Sequence, residues 1–137
     1  MKISVMGTGY VGLVSGTCLA ERGHQVTCID IRSEVVQEIN AGRPPIHEIG
    51  LDNLLRSARD KGMLSATTDA KTAILDSDVT LICVGTPTVD GRMDMSQIVA
   101  AAKEIGSALA SKRGYHVVAV KSTVLPGTTE GPVKAAI

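Results

Sequence analysis

The chain of 137 residues contains no phenylalanine or tryptophan and only two tyrosines, so its core has to be built from aliphatic side chains. Acidic and basic residues are equal in number, 14 of each, and the formal net charge is zero. Because nucleic-acid-binding proteins normally carry a basic stripe, this balance argues against a nucleic-acid partner. The apolar content of 44% is enough for a packed core and argues against disorder.

Long apolar runs are also missing. The first apolar stretch, Ile3 to Met6, is interrupted by glycine and lacks a cleavage-like site, so we expect no signal peptide. No run approaches the roughly 20 residues of a membrane span, so we expect no membrane partner. The three cysteines, Cys18, Cys28 and Cys83, have neither CxxC nor metal-site spacing, and each lies in an apolar run. We expect buried, unpaired thiols, no metal and a reducing, cytoplasmic setting.

Short apolar segments alternate along the chain with longer segments of helical periodicity. This alternation predicts right-handed crossovers and a parallel sheet with helices on both faces. We expect an α/β fold, a Rossmann-type doubly wound parallel sheet in three αβα layers, with strand order 3-2-1-4-5. Residues 1–137 are expected to form one domain that stops before the last strand of its sheet. The predicted strands are 3–6, 25–30, 64–67, 79–84 and 117–120, and the predicted helices are 11–22, 33–40, 51–61, 69–75 and 96–111, with a sixth after Gly127.

Local signals mark several boundaries of these elements. Ser33 and Asp69 are predicted to cap helices, because serine and aspartate side chains accept hydrogen bonds from the first free N–H groups. Residues 85–92 are predicted to form a loop.

A glycine-rich motif, G-T-G-Y-V-G, joins the first strand to the first helix. A chain with fourteen glycines can show this spacing by chance. The motif indicates dinucleotide binding here because a predicted strand precedes it and a predicted helix follows it. Gly7 permits the tight turn, Gly9 lets a dinucleotide diphosphate approach the backbone, and Gly12 lets the helix pack closely. Free N–H groups and the helix dipole favour an anion there. The alternative is a plain glycine-rich turn.

An acidic residue, Asp30, ends the second strand, 18 residues after Gly12. A carboxylate at this position accepts hydrogen bonds from the adenosine ribose and repels a 2′-phosphate, so NAD is favoured over NADP. Arg32 is the counter-evidence, because an arginine nearby accommodates that phosphate. A turn or capping role for Asp30 is the alternative.

Two further loops are expected at the same sheet edge, where the strand order reverses. The first contains Gly85, Thr86 and Pro87, and the second contains Ser122 and Thr123. Their hydroxyl groups are suited to binding a ribose, a carboxamide or a phosphate without adding charge. The alternative for each threonine is an ordinary turn or capping role.

Four stretches of the chain resemble the UDP-glucose and GDP-mannose dehydrogenase family. The resemblance extends in register over essentially the whole chain, and its combined motifs are far more specific than the glycine motif alone. The stretches are Met1 to Gly12 (M-K-I-S-V-M-G-T-G-Y-V-G), Ile39 to Leu51 (I-N-A-G-R-P-P-I-H-E-I-G-L), Asp76 to Pro87 (D-S-D-V-T-L-I-C-V-G-T-P) and Lys121 to Thr128 (K-S-T-V-L-P-G-T).

The resemblance implies that NAD lies across this domain. It implies that Tyr10 and Val11 give backbone contacts near the phosphates and that Asp30 binds the ribose. It places Thr86 and Thr123 near the nicotinamide end. The family reaction oxidises the C6 alcohol of a nucleotide sugar to the acid, with two NAD reduced and a cysteine thiohemiacetal as intermediate.

The chain departs from the family pattern at two positions, Ile49 and Val35. Glu48 matches a family glutamate close to the cofactor, but Ile49 replaces the usual proline beside it, which leaves that loop less rigid. Val35 stands where the family usually carries lysine or arginine. Arg32 is the candidate to take over that adenosine-side contact.

No catalytic residue is expected within these residues. The resemblance places the nucleophilic cysteine, the lysine and asparagine, and the sugar-nucleotide domain beyond residue 137. Cys83 is a poor substitute, because it lies in a buried strand with no histidine or lysine beside it. His24 and His116 are expected at surface or turn positions, and His47, beside Glu48, is given no catalytic role.

The leading hypothesis is an NAD-dependent 6-dehydrogenase acting on UDP-glucose or GDP-mannose, of which this domain binds NAD without turnover. The resemblance implies that other domains bind most of the nucleotide sugar and that a later helix forms a homodimer. The motif S-T-V-L-P-G-T slightly favours the GDP-mannose enzymes over the UDP-glucose enzymes. The alternatives are a non-catalytic NAD-sensing module and a β-hydroxyacid-type dehydrogenase.

Overall fold

The computed structural model describes residues 1–137 as alternating strands and helices. In chain order the elements are β1 (Lys2–Met6), α1 (Tyr10–Glu21), β2 (Gln25–Ile29), α2 (Ser33–Asn40), α3 (Leu51–Asp60), β3 (Leu64–Thr67), α4 (Ala70–Leu75), β4 (Val79–Ile82), β5 (Thr88–Val89), β6 (Arg92–Met93), α5 (Ser96–Leu109), β7 (Val117–Val120) and, after a kinked turn at Thr129–Val133, α6 (Lys134–Ala136). No helix has both the length and the apolar content needed to span a membrane.

Five of the strands form one parallel sheet in the order β3-β2-β1-β4-β7. The predicted order 3-2-1-4-5 is therefore confirmed, with β7 as the fifth strand of the sheet. The chain moves outward from β1 through β2 to β3, then crosses back to β4 on the other side of β1. The order reverses between β1 and β4, and the loops that follow these strands diverge there to leave a crevice.

The core is aliphatic and lies in two layers, one on each face of the sheet. Side chains from α1, α2 and α3, among them Leu13 and Leu55, pack on one face. Side chains from α4 and α5, among them Ile74 and Ile105, pack on the other. This is the predicted three-layer αβα arrangement.

The predicted loop at 85–92 was wrong in part, because it contains a small antiparallel hairpin. Strands β5 and β6 pair through Thr88 with Met93 and Val89 with Arg92. Asp90 and Gly91 form the turn with positive φ values of 49° and 74°. An Asp-Gly pair is a strong two-residue hairpin signal, because both positions of that turn require positive φ.

Of the two predicted caps, one is confirmed and one is wrong. The carboxylate of Asp69 accepts the backbone N–H of Thr72 at 3.0 Å, as a helix cap does. Ser33 is instead the first residue of α2, and Arg32 precedes that helix without a side-chain cap.

Two side chains lie in surroundings other than those predicted. Cys18 is exposed rather than buried, whereas Cys28 and Cys83 are buried as expected. His116 is half-buried and belongs to a polar network at the edge of the sheet opposite the crevice. Its Nε2 lies 2.8 Å from the Thr80 hydroxyl, and its Nδ1 lies 3.0 Å from the Ser77 carbonyl oxygen. Since a carbonyl oxygen only accepts, Nδ1 donates and Nε2 accepts in the neutral ring.

Candidate cofactor-binding site

A large cavity of about 790 Å³ opens at the carboxyl ends of β1, β2 and β4. It lies at the point where the strand order reverses, which is where ligands bind in open α/β sheets. Its walls come from the glycine loop, the end of β2, the loops after β4 and β7, and one face of α5. A cavity of this size is typical of a site for a cofactor-sized ligand.

The three motif glycines have different structural roles. Gly7 has a φ of +96°, and a Cβ there would lie 2.8 Å from the Cys83 carbonyl oxygen. A Cβ at Gly12 would collide with the carbonyl oxygen of Gly7 and lie 3.0 Å from the Cys83 Cβ. A Cβ at Gly9 would meet nothing within 4 Å. Gly7 and Gly12 are therefore required by the loop itself, whereas Gly9 borders open space.

The start of α1 is suited to bind an anion. Gly9 is the N-cap residue, no side chain caps the helix, and the first turn has no acidic residue. The first N–H groups of a helix lack intrahelical partners, so no capping side chain competes with a ligand for those of Tyr10 and Val11. Both residues are exposed and line the cavity. Free amides and the positive end of the helix dipole together favour a diphosphate.

The parallel pairing of β1 and β2 brings Asp30 to the glycine loop. Met6 pairs with Ile29, and the N–H of Gly7 donates to the Ile29 carbonyl oxygen at 2.9 Å. The next residue, Asp30, accepts a hydrogen bond from the Thr8 hydroxyl. The predicted proximity of Asp30 to the glycine loop is confirmed, although the two are distant in sequence.

Asp30 is buried and is held by three hydrogen bonds. Besides the Thr8 bond to Oδ2, its Oδ1 accepts the backbone N–H of Arg32 at 3.0 Å and the Arg32 Nε at 3.2 Å. Burial by itself would raise the pKa of Asp30, but the hydrogen bonds from Thr8 and Arg32 outweigh it and lower the pKa. The carboxylate is therefore negatively charged at neutral pH, and the largely exposed Arg32 side chain lies beside it.

The loops after β4 and β7 meet across the cavity from α1, as the sequence predicts. The Thr86 hydroxyl donates to the Thr123 carbonyl oxygen at 2.7 Å, and the Ser122 hydroxyl donates to the Val84 carbonyl oxygen at 2.7 Å. Gly85 lies close to α5, since a Cβ there would be 3.3 Å from Oε1 of Gln97. The two hydrogen bonds hold the loops to each other.

Three of the predicted site residues do not line this cavity. Glu48 is exposed in the segment before α3, where its carbonyl oxygen accepts the Leu51 N–H at 3.1 Å. Gly12 is buried in α1, and Pro87 lies where its loop leaves towards β5. All the other predicted site residues line the cavity: Gly7, Gly9, Tyr10, Val11, Asp30, Arg32, Gly85, Thr86, Ser122 and Thr123.

Several lining residues were not predicted. Thr8 lies between the first two motif glycines, and one face of α5 contributes Gln97, Ala100, Ala101 and Glu104. The spacing of these α5 residues follows i, i+3, i+4 and i+7, which places them on one side of a helix. That periodicity was the available signal for the α5 wall, whereas nothing in the glycine motif distinguishes Thr8.

The one thiol in the cavity wall is a poor nucleophile. Burial raises the pKa of Cys83 to about 11, and the nearby charge of Lys121 only partly opposes this. Because the thiolate is the reactive form, a thiol with this pKa is almost entirely protonated and unreactive at neutral pH. The prediction that Cys83 is no nucleophile agrees with these surroundings.

The cavity fits a dinucleotide with a free adenosine ribose. Gly9 leaves a hollow that a side chain would fill, the amides of α1 face it, and Asp30 lies across from it. The only basic side chain in the cavity wall is that of Arg32, so backbone amides provide most of the complementarity to a diphosphate. The negative charge of Asp30 disfavours a 2′-phosphate.

The chain is similar along its whole length to dehydrogenases of nucleotide sugars. It is 49% identical over 134 residues to GDP-mannose 6-dehydrogenase of Pseudomonas aeruginosa, and 48% identical over 130 residues to UDP-glucose 6-dehydrogenase of Rhizobium meliloti. These alignments cover 97% and 93% of this chain but 31% and 29% of those enzymes. The chain thus spans about a third of the length of these relatives.

Solved structures agree with the sequence similarity. The ternary complex of GDP-mannose dehydrogenase from Pseudomonas aeruginosa superposes with a TM-score of 0.97 at 48% identity, over 99% of this chain and 31% of that one. A UDP-glucose dehydrogenase from Pyrobaculum islandicum gives 0.94 at 44% identity, over 98% and 31%. The profile described as the UDP-glucose/GDP-mannose dehydrogenase family, NAD binding domain, matches residues 1–137. The chain belongs to this family, as its NAD-binding domain.

Proposed function

We propose that this chain is the cofactor domain of a nucleotide-sugar 6-dehydrogenase, which oxidises the C6 alcohol of UDP-glucose or GDP-mannose to the acid with two NAD. The single observation that carries the cofactor role is the open hollow at Gly9, bordered by free helix amides and faced by Asp30. The match over the whole chain to dehydrogenases supports the reaction class. It leaves the NAD-sensing alternative without support.

The proposed contacts follow the length of the dinucleotide. The diphosphate lies on the backbone at Gly9, Tyr10 and Val11, where the N–H groups point towards the cavity. Asp30 accepts a hydroxyl group of the adenosine ribose.

The nicotinamide half extends towards the joined loops. Ser122 and Thr123 lie there with Thr86, and these residues border the cavity without adding charge. Glu48 does not line the cavity. Contact of Glu48 with NAD remains a prediction from the family resemblance.

The proposal also covers the substrate site, the cellular compartment and the oligomeric state of the enzyme. The nucleotide sugar binds mainly to parts of the enzyme that these residues do not include, and the catalytic nucleophile lies there too. The enzyme acts in the cytoplasm as a homodimer. These 137 residues alone bind NAD and do not oxidise a nucleotide sugar, because Cys83 is held as a thiol.

Calorimetric titration of the chain with NAD and with NADP tests the proposal. We expect a 1:1 complex with NAD and weaker binding of NADP. The matched control is ADP-ribose, which retains the diphosphate and the adenosine ribose but lacks nicotinamide. Weaker binding of ADP-ribose than of NAD supports contacts at the nicotinamide end, whereas the absence of binding by both NAD and ADP-ribose would overturn the cofactor assignment.

A further inference from the structure

A buried hydroxyl group links the glycine loop to the acid at the end of β2. Thr8 lies between Gly7 and Gly9 and is only 1% exposed. Its side chain points away from solvent and donates a hydrogen bond to Oδ2 of Asp30. The residue at the centre of the loop thus contacts the residue across the cavity.

The other hydrogen bonds of Asp30 leave little freedom to its carboxylate. A carboxylate offers about four acceptor positions. Arg32 occupies two on Oδ1, through its backbone N–H and its Nε, and Thr8 occupies one on Oδ2. The remaining position lies on the same oxygen that Thr8 holds, so Thr8 fixes the orientation of the acceptor that is left for a ligand.

The charge of Asp30 depends on the same contacts. Arg32 is the charged group that acts on Asp30. Glu34, at the start of α2, acts on Arg32, and Glu104 of α5 lines the same cavity. Cys28, in β2, stays neutral because burial raises its pKa to about 12. Arg32 and Thr8 are therefore the neighbours that favour the ionised carboxylate against the effect of burial.

We propose that Thr8 is a positioning residue for NAD binding, whose hydroxyl holds the Asp30 carboxylate against the glycine loop, ionised and oriented to accept a ribose hydroxyl. This inference rests on the proposed function, because it requires Asp30 to bind the ribose. It adds a residue that does not itself contact the ribose but prepares the one that does.

Three variants of similar size test the proposal. Thr8→Val removes the hydroxyl at nearly constant volume, and Thr8→Ser keeps the hydroxyl. Thr17→Val is the matched control, because Thr17 is equally buried and donates to the Leu13 carbonyl oxygen within α1, outside the cavity wall. Calorimetry measures the NAD dissociation constant of each protein between pH 5.0 and 7.5, and circular dichroism measures the melting temperature.

The proposal predicts different pH profiles for these proteins. Wild type, Thr8→Ser and Thr17→Val should bind NAD with similar affinity at all pH values. Thr8→Val should bind about tenfold more weakly at pH 7.5, as expected on losing a hydrogen bond to a charged group. Its affinity should also fall more than that of wild type as the pH decreases towards 5.0, because the Asp30 pKa rises without the hydroxyl.

Two results would overturn the inference. One is wild-type affinity in Thr8→Val, and the other is weaker binding with the flat pH profile of Thr17→Val. Wild type that does not bind NAD at any pH rejects the proposed function itself. Should Thr8→Val fail to fold, Thr8→Ala also removes the hydroxyl: NAD binding about tenfold weaker than that of Thr8→Ser supports the proposal, and equal affinity of these two variants rejects it.

Discussion

Replacing Gly9 by alanine separates the ligand-binding role of the loop from its folding role. The backbone at Gly9 is extended, with φ −70° and ψ −169°, which alanine adopts without strain. A Cβ there meets no protein atom within 4 Å. Gly→Ala at a compatible position stabilises a protein by about 0.4–1 kcal/mol, because the unfolded chain loses entropy. We therefore expect a melting temperature equal to or slightly above that of wild type.

The same methyl group occupies the space that the diphosphate needs. A phosphate oxygen accepts a backbone N–H at about 2.9 Å, and a methyl group in between prevents that approach. Losing two such charge-assisted hydrogen bonds, each contributing at least about 1.5 kcal/mol, costs about 3 kcal/mol, or a factor of about 150 in the dissociation constant.

Calorimetry and circular dichroism measure the two effects separately; the chain contains no tryptophan for fluorescence. NAD binding by Gly9→Ala within about threefold of wild type would show that the diphosphate does not approach Gly9. A strongly lowered melting temperature would show that the hollow is needed for folding instead.

Three further predictions concern the fold, the cofactor preference and the pH dependence of stability. Gly12→Ala should destabilise the chain by at least about 3 kcal/mol, because its Cβ collides with the Gly7 backbone; denaturant unfolding close to that of wild type would contradict the described loop geometry. Asp30→Ala should move the preference towards NADP by at least about tenfold, because the repulsion of the 2′-phosphate is lost and Arg32 remains; an unchanged ratio of the two dissociation constants in calorimetry would reject the role of Asp30 in selection. Burial, followed by the nearby charge of Lys112, lowers the pKa of His116 below its ordinary 6.5, so the unfolded chain binds a proton more readily than the folded one. The free energy of unfolding should therefore be highest above about pH 6.5 and fall as the pH decreases towards the lowered folded pKa. The His116→Gln variant should lack this decrease between about pH 5 and 7. The same pH dependence of the unfolding free energy in both proteins, measured with urea, would contradict the prediction.

The order of the sheet was predictable because it follows from short-range signals and general handedness. Each strand is a short apolar run, each helix has its own periodicity, and right-handed crossovers then allow few arrangements. The glycine loop was predictable for a related reason, because its backbone conformation requires glycine at certain positions and the glycines are visible in the sequence. Gly7, with its positive φ, is an example.

The contacts between side chains were less predictable because they depend on strand register. The hydrogen bond from Thr8 to Asp30 exists because Met6 pairs with Ile29, and a shift of one residue would turn these side chains to opposite faces. The network of His116 likewise depends on where β7 lies beside β4. No local sequence motif specifies either register.

Other differences came from signals that competed with one another. The Asp90-Gly91 pair favours a hairpin, but only two residues on each side pair, so the segment also has the composition of a loop. Ser33 has the residue type of a cap, yet α2 begins at Ser33 because Arg32 already has the extended backbone of the capping position. Cys18 lies among apolar residues of α1, and its position on the outer side of that helix leaves it exposed.

The central claim is that the diphosphate of NAD rests on the backbone amides at the start of α1. Amide NMR of the isotopically labelled chain during an NAD titration measures this directly. We predict that the largest shift changes occur at the N–H groups of Gly9, Tyr10 and Val11, with a second group around Asp30. Saturation with NAD while these amides remain unshifted would contradict the claim.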